Sequence, residues 1–173
     1  MELEGRKVII LVEKMVNDRE FWYPYYRLKE AGAQVRVVAP KAGASYPGAA
    51  GIEIQSEAAA GEVDPAEYDG LVIPGGYAPD HMRRDPAMVD LVRGMAAGGK
   101  VVAAICHAGW MLVSAGVLDG RTATAFFAIR DDIVNAGADW VDQEVAVDGN
   151  LVTSRQPDDL PAFLRAIIAA LKA

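Results

Sequence analysis

The sequence predicts an α/β fold built on a doubly wound, mainly parallel sheet, and three observations lead there. Apolar runs at Val8 to Val12, Leu71 to Ile73 and Val101 to Ile105 show no polar alternation, the pattern of strands covered on both faces. Between them lie segments with apolar residues three and four apart, which begin at capping residues and stop at glycine. Strands and helices therefore alternate, and such folds place their sites beyond the carboxyl ends of the strands.

Taken in order, Lys7 to Val12 reads as the first strand. Asn17 and Asp18 are good N-caps for a helix running through Glu20 to Ala31, with Gly32 as its left-handed stop. Proline inside a helix removes a donor, so Pro24 predicts that this helix either starts near residue 24 or kinks there. Gln34 to Ala39 reads as a second strand ended by Pro40, which implies a right-handed crossover. Residues 41–51 read as a surface excursion, with strand-like Ile52 to Ile54 after it. Asp64-Pro65 opens a brief helical turn, and Gly70 to Pro74 is a buried strand ending at Gly75-Gly76.

Asp85-Pro86 starts a helix carrying Met88, Leu91, Val92 and Met95, which stops at Gly98-Gly99. The strand Val101 to Ile105 runs straight into Cys106-His107, followed by a short helix ending before Gly116. Glu144 to Val147 and Leu151 to Ser154 flank Asp148-Gly149-Asn150 as a hairpin, and residues 158–170 form a terminal amphipathic helix.

Length and composition bound the function classes. At 173 residues, 52% apolar and 24% charged, the chain is expected to form one globular domain over residues 1–173. Seventeen Lys and Arg against 24 Asp and Glu leave a net charge of −7, which disfavours nucleic-acid and anionic-membrane partners. One cysteine permits neither an internal disulfide nor a zinc site built on several thiolates, so neither metal nor cofactor is expected. No secretion signal is visible and no apolar run approaches the roughly 20 residues needed to span a bilayer. A cytoplasmic location is expected.

Three features fall at strand carboxyl ends and should converge: Glu20, Gly75-Gly76 and Cys106-His107. A thiol on a sharp strand-to-helix turn is held off the sheet, where a helix N-terminus favours the thiolate. Gly75 and Gly76 are placed to offer backbone N–H groups to an oxyanion. Each also has a plainer reading: a lone cysteine as a small buried hydrophobe, and Glu20 as a first-turn acid complementing the helix dipole. His81 reads as a rim or interface residue, and Trp22, Trp110 and Trp140 as core or interface aromatics.

Ala104-Ile105-Cys106-His107, Gly75-Gly76, the Glu20 to Tyr25 stretch and Asp131 to Ala138 together resemble the PfpI/ThiJ family, the intracellular protease I-like group, from Lys7 to Leu171. The resemblance implies a flavodoxin-like three-layer sandwich with Cys106 on a nucleophile elbow, Glu20 hydrogen-bonded to its sulfur and His107 as the adjacent base. It implies a homo-oligomer, dimer or hexamer, in which Asp80 of a neighbouring subunit completes a triad with His107. Three departures stand out. Ala108-Gly109 replaces the family's Gly-Pro, Met15 and Asn17 stand where acidic residues are common, and Phe126 replaces a pocket tyrosine.

The implied activity is cysteine-dependent chemistry on a small carbonyl compound or a peptide, of glyoxalase III, deglycase or peptidase type, in stress protection. The alternative from another class is a non-catalytic stress protein or oxidation sensor using Cys106. Class I glutamine amidotransferases share a related elbow but need a distant His-x-Glu downstream of the cysteine, and no histidine follows His107.

Overall fold

The structure, a computed structural model, describes residues 1–173. Its central sheet has seven strands: β1 (Lys7–Leu11), β2 (Gln34–Ala39), β5 (Ala58–Ala59), β6 (Gly70–Ile73), β7 (Val101–Ile105), β10 (Val145–Asp148) and β11 (Leu151–Ser154). They lie in the order β10-β11-β7-β6-β1-β2-β5. All neighbours are parallel except the β10–β11 hairpin at one edge. The runs that read as buried on both faces are so, β7 being buried at every position.

The helices are α1 (Asp18–Glu30), α2 (Ala78–Met82), α3 (Pro86–Ala97), α4 (Gly109–Ala115), α5 (Arg130–Asn135) and α6 (Leu160–Lys172). α1 packs with α6, whereas α3 packs with α4, which also meets α2 and α5, and the sheet lies between the two groups as a three-layer sandwich. A continuous core of 53 buried residues holds the layers together. Chain order along the sheet reverses at β1, whose neighbours are β2 on one side and β6 on the other. The carboxyl ends of β1, β6 and β7 meet at this switch point, where open α/β sheets form their sites.

Several expectations change. α1 starts at Asp18, with Asn17 as N-cap accepting from Arg19 N–H, and continues past Pro24 rather than beginning there. Glu20, Phe21, Pro24 and Leu28 make its buried face, and burying those side chains offsets a ring that costs about 3 kcal/mol in an isolated helix. The 41–51 excursion is partly ordered: β3 (Ser45–Pro47) pairs antiparallel with β4 (Glu53–Gln55). Two further two-residue strands, β8 (Thr122–Ala123) and β9 (Asp139–Trp140), pair in parallel outside the main sheet.

Candidate active site

β7 ends at Ile105 and the chain turns at once, with Cys106 at φ 62°, a left-handed conformation that costs a non-glycine residue about 1–3 kcal/mol. A single tight turn, Cys106–Ala108, leads into α4. The turn brings Cys106, which is 6% exposed, against the Gly75-Gly76 loop that follows β6.

Opposite it, α1 carries Glu20, fully buried one turn from the Asn17 cap. Gly75 N–H donates to Glu20 Oε2 at 2.7 Å. The other oxygen, Oε1, is buried without a hydrogen-bond partner, and the Cys106 thiol adjoins the carboxyl.

The loops that hold this geometry are laced together. Asn17 N–H donates to the Gly75 carbonyl at 3.2 Å and Tyr77 N–H to the Met15 carbonyl at 3.0 Å. Gly76 sits at φ 74°, where an added Cβ would lie 2.5 Å from Asn17 N and 2.6 Å from Met15 O, so only glycine fits. Its N–H and that of His107 face the Cys106 sulfur. Gly75 is therefore not a free oxyanion donor, because its single N–H is already given to Glu20, and Gly76 and His107 supply the amides nearest the thiol.

Burial pushes the Glu20 carboxyl up to about 7, with the Gly75 N–H and the thiol opposing that rise. Burial and then the Glu20 charge push the Cys106 thiol up to about 12, against the amides of Gly76 and His107. Desolvation therefore works against the thiolate that the helix N-terminus was expected to favour, and two adjacent acids in a water-poor pocket oppose ionising together.

His107 Nδ1 lies 3.3 Å from Cys106 Sγ. Burial lowers its pKa and favours the neutral imidazole. Its ring packs between Trp110, at 5.1 Å, and Phe126, at 4.9 Å. Trp110 Nε1 in turn donates to Asp132 Oδ2 at 2.9 Å. Sequence reading took Trp110 as a core or interface aromatic, yet its place one helical turn after His107 was the available signal.

Phe126 N–H donates to the Cys106 carbonyl at 3.3 Å, so the residue replacing the family's tyrosine does line the elbow. Ala108 is fully buried beneath it. No carboxylate of the same chain reaches His107. Asp80, on α2, is ion-paired with Arg84. His81 packs edge-on against Tyr77 at 5.3 Å. No cluster of three or more His, Cys, Asp or Glu side chains could hold a metal ion, and no helix is long and apolar enough to cross a membrane.

Comparison with known proteins puts this geometry in context. Residues 6–170 match the profile of the DJ-1/PfpI family. A protein of Pyrococcus abyssi named a deglycase is 46% identical over 166 residues, covering 96% of this chain and 99% of the relative. Protein/nucleic acid deglycase 2 of Escherichia coli is 42% identical over 171 residues, covering 98% of this chain and 99% of that protein. Among solved structures, a two-domain protein of Anabaena variabilis with DJ-1/ThiJ/PfpI-like and ferritin-like domains superposes with a TM-score of 0.95 at 44% identity. The match covers 96% of this chain and 48% of that one.

Proposed function

The chain belongs to the DJ-1/PfpI family, and with that as premise we propose that it is a cysteine-dependent enzyme of the deglycase type. In this reading the Cys106 thiol attacks the carbonyl carbon of a small aldehyde or of its adduct on a peptide side chain. One observation carries the proposal: the thiol, held at positive φ, lies between a buried carboxyl that titrates at about 7 and His107 Nδ1 at 3.3 Å.

A thiol titrating at about 12 is a weak nucleophile on its own, so it needs a base at the moment of attack. Glu20 is that base, since near pH 7 a large fraction of it is ionised, the condition for efficient proton transfer at that pH. As the S–C bond forms, the thiol proton passes to Glu20 and the carbonyl electron pair moves onto oxygen, toward the Gly76 and His107 amides. Glu20 then returns the proton to that oxygen, leaving a neutral hemithioacetal.

With methylglyoxal, moving a proton from the first to the second carbon through an enediol converts this adduct to a thioester. Water then releases lactate and the free thiol. Peptide hydrolysis shares the first step, but Phe126 offers no hydroxyl where the peptidase-like pattern has a tyrosine.

The acid that would orient His107 is assigned to Asp80 of a neighbouring subunit, supported by the lack of any carboxylate on the ring within the chain. Leaving Arg84 is inexpensive, because an exposed ion pair of this kind contributes at most about 1 kcal/mol.

The test compares wild type with Cys106→Ser on methylglyoxal, methylglyoxal-modified peptides and a fluorogenic peptide panel. Turnover of the first two should fall by more than about a hundredfold in the variant. Full activity in Cys106→Ser sinks the reading.

A second reading, an oxidation sensor, is favoured by the same amides and the Glu20 proton, which suit the oxygens of a Cys106 sulfinate formed by peroxide. Mass spectrometry after a peroxide titration separates it: stoichiometric dioxygen addition at Cys106 in a protein that turns over neither aldehyde nor adduct selects the sensor.

A further inference from the structure

A second concave site lies one strand away from the thiol. Ser154 of β11 pairs in parallel register with Ile105 of β7, so Arg155 leaves its strand at the level at which Cys106 leaves β7, one strand spacing of about 4.8 Å to the side. Around Arg155 is a cavity of about 320 Å³ lined by Phe126, Phe127, Trp140, Asp142, Arg155 and Gln156. Phe126 is the partition: one side of its residue faces the His107 ring at 4.9 Å, and its neighbour ring Phe127 is 4.7 Å away in the cavity wall.

The charge of this cavity is lopsided. Arg155 donates through Nε and Nη2 to Asp159 and through Nη1 to Asp142 Oδ1 at 2.8 Å, so its guanidinium is committed to two carboxylates. Asp159 is buried behind it, whereas the Asp142 side chain is 77% exposed and its Oδ2 carries no protein hydrogen bond. One guanidinium against two carboxylates leaves a net negative charge, under walls made of three aromatic rings.

An anion meets a guanidinium whose charge two carboxylates already outweigh, and an uncharged aliphatic group leaves Asp142 unused. A planar cation satisfies both features, since a guanidinium stacks on aromatic faces and offers paired N–H donors to a carboxylate.

We propose that the cavity is a subsite for the guanidinium of an arginine side chain flanking the reacting residue of a peptide or protein substrate. The proposal deepens the functional reading above and rests on it for the word substrate, though not for the binding. It gives Phe126 a role as the shared wall that separates the reacting carbonyl from the recognised side chain.

Binding can be read without turnover. The wild-type protein is titrated with N-acetyl-arginine amide and, separately, with N-acetyl-citrulline amide, whose urea group is the neutral isostere. The indole N–H of Trp140, assigned with Trp140→Phe, and the side-chain amide of Gln156 are followed by heteronuclear NMR. Both signals should shift with the arginine compound, and the citrulline compound should bind about fivefold more weakly or worse.

Asp142→Asn, at a position exposed enough to leave the fold intact, should abolish that difference, and Phe127→Ala should weaken both ligands. Equal affinity for the two compounds, or no shift at Trp140 because the site is empty of affinity or covered by a second copy of the chain, overturns the proposal. Unimpaired turnover in Cys106→Ser would instead refute the role of the thiol and leave an arginine-selective shift at Trp140 standing, so the two failures are distinguishable.

Discussion

Glu20→Gln isolates the central electrostatic claim, because glutamine keeps the side-chain shape and the acceptor for Gly75 N–H but cannot ionise. The folded carboxyl titrates at about 7 against an ordinary 4.5, and the cause named first is burial. Raised pKa values favour the protonated form on folding, so the stabilisation is complete below pH 4.5 and is lost as pH rises toward and through 7.

That gap corresponds to about 3 kcal/mol of stability lost by wild type across the window. The group is fully buried, so solvent screening does not dilute it. Urea unfolding followed by far-UV circular dichroism at intervals from pH 4.5 to pH 8 should give wild type a clear downward slope that Glu20→Gln lacks. The variant should therefore gain relative to wild type as pH rises, while its turnover falls at every pH. Parallel stability profiles for the two proteins would refute a buried, protonated Glu20, and undiminished turnover would return it to a dipole-complementing first-turn acid.

The same pair predicts that Glu20→Gln moves the iodoacetamide reactivity profile of Cys106 to lower pH, since one cause of its high pKa is the Glu20 charge; superimposable profiles would remove that coupling. Gly75→Ala would put a Cβ 2.7 Å from Glu20 Oε2, 2.8 Å from Cys106 Cβ and 2.9 Å from the Ile105 carbonyl. Two of these neighbours are fixed by the backbone, so a loss of about 1–3 kcal/mol in urea unfolding together with loss of turnover is expected, and a stable, active variant would contradict the packing. Asp80→Ala should lower activity without unfolding, and mixing it with Cys106→Ser subunits should restore part of it in a co-assembled oligomer. Failure of complementation in a demonstrably mixed oligomer, or light scattering showing a fully active monomer, would refute the trans role.

How far the sequence carried these conclusions depended on whether the cause was local. β1, β6 and β7 were legible because apolar runs without alternation can only be covered on both faces, and Asn17 and Asp85-Pro86 because a cap acts within one turn. β4 was legible to within a residue as the strand-like Ile52 to Ile54, but β3 and β5 were not, since strands of two or three residues containing proline or only alanine form only because a neighbour offers an edge. The continuation of α1 past Pro24 was decided by tertiary burial of its face, which outweighs a local cost.

The site divides in the same way. Glu20, Gly75-Gly76 and Cys106-His107 could be placed together from strand ends alone, but the donor of Gly75 is spent on a residue 55 positions away, and no spacing rule reports that. The Arg155 cavity was invisible for the same reason, since its two carboxylates and three rings come from different segments.

Two energetic costs fall on residues that touch each other. Cys106 holds φ 62° where glycine would relax, and Glu20, whose carboxyl adjoins that thiol, is buried with one oxygen unpartnered. Packing does not require either cost: glycine at the turn would give up one small side chain of the 53-residue core and remove about 1–3 kcal/mol of strain, and glutamine in the helix would remove about 3 kcal/mol of proton-linked instability near neutral pH. Chance would scatter such penalties over the surface rather than set them in contact at the switch point of the sheet. The arrangement makes sense for chemistry in which a thiol must give up its proton only as it attacks, to a base whose own pKa burial has raised to the working pH. The strain at Cys106 and the burial at Glu20 are then one device, and removing either should cost activity while relieving the fold.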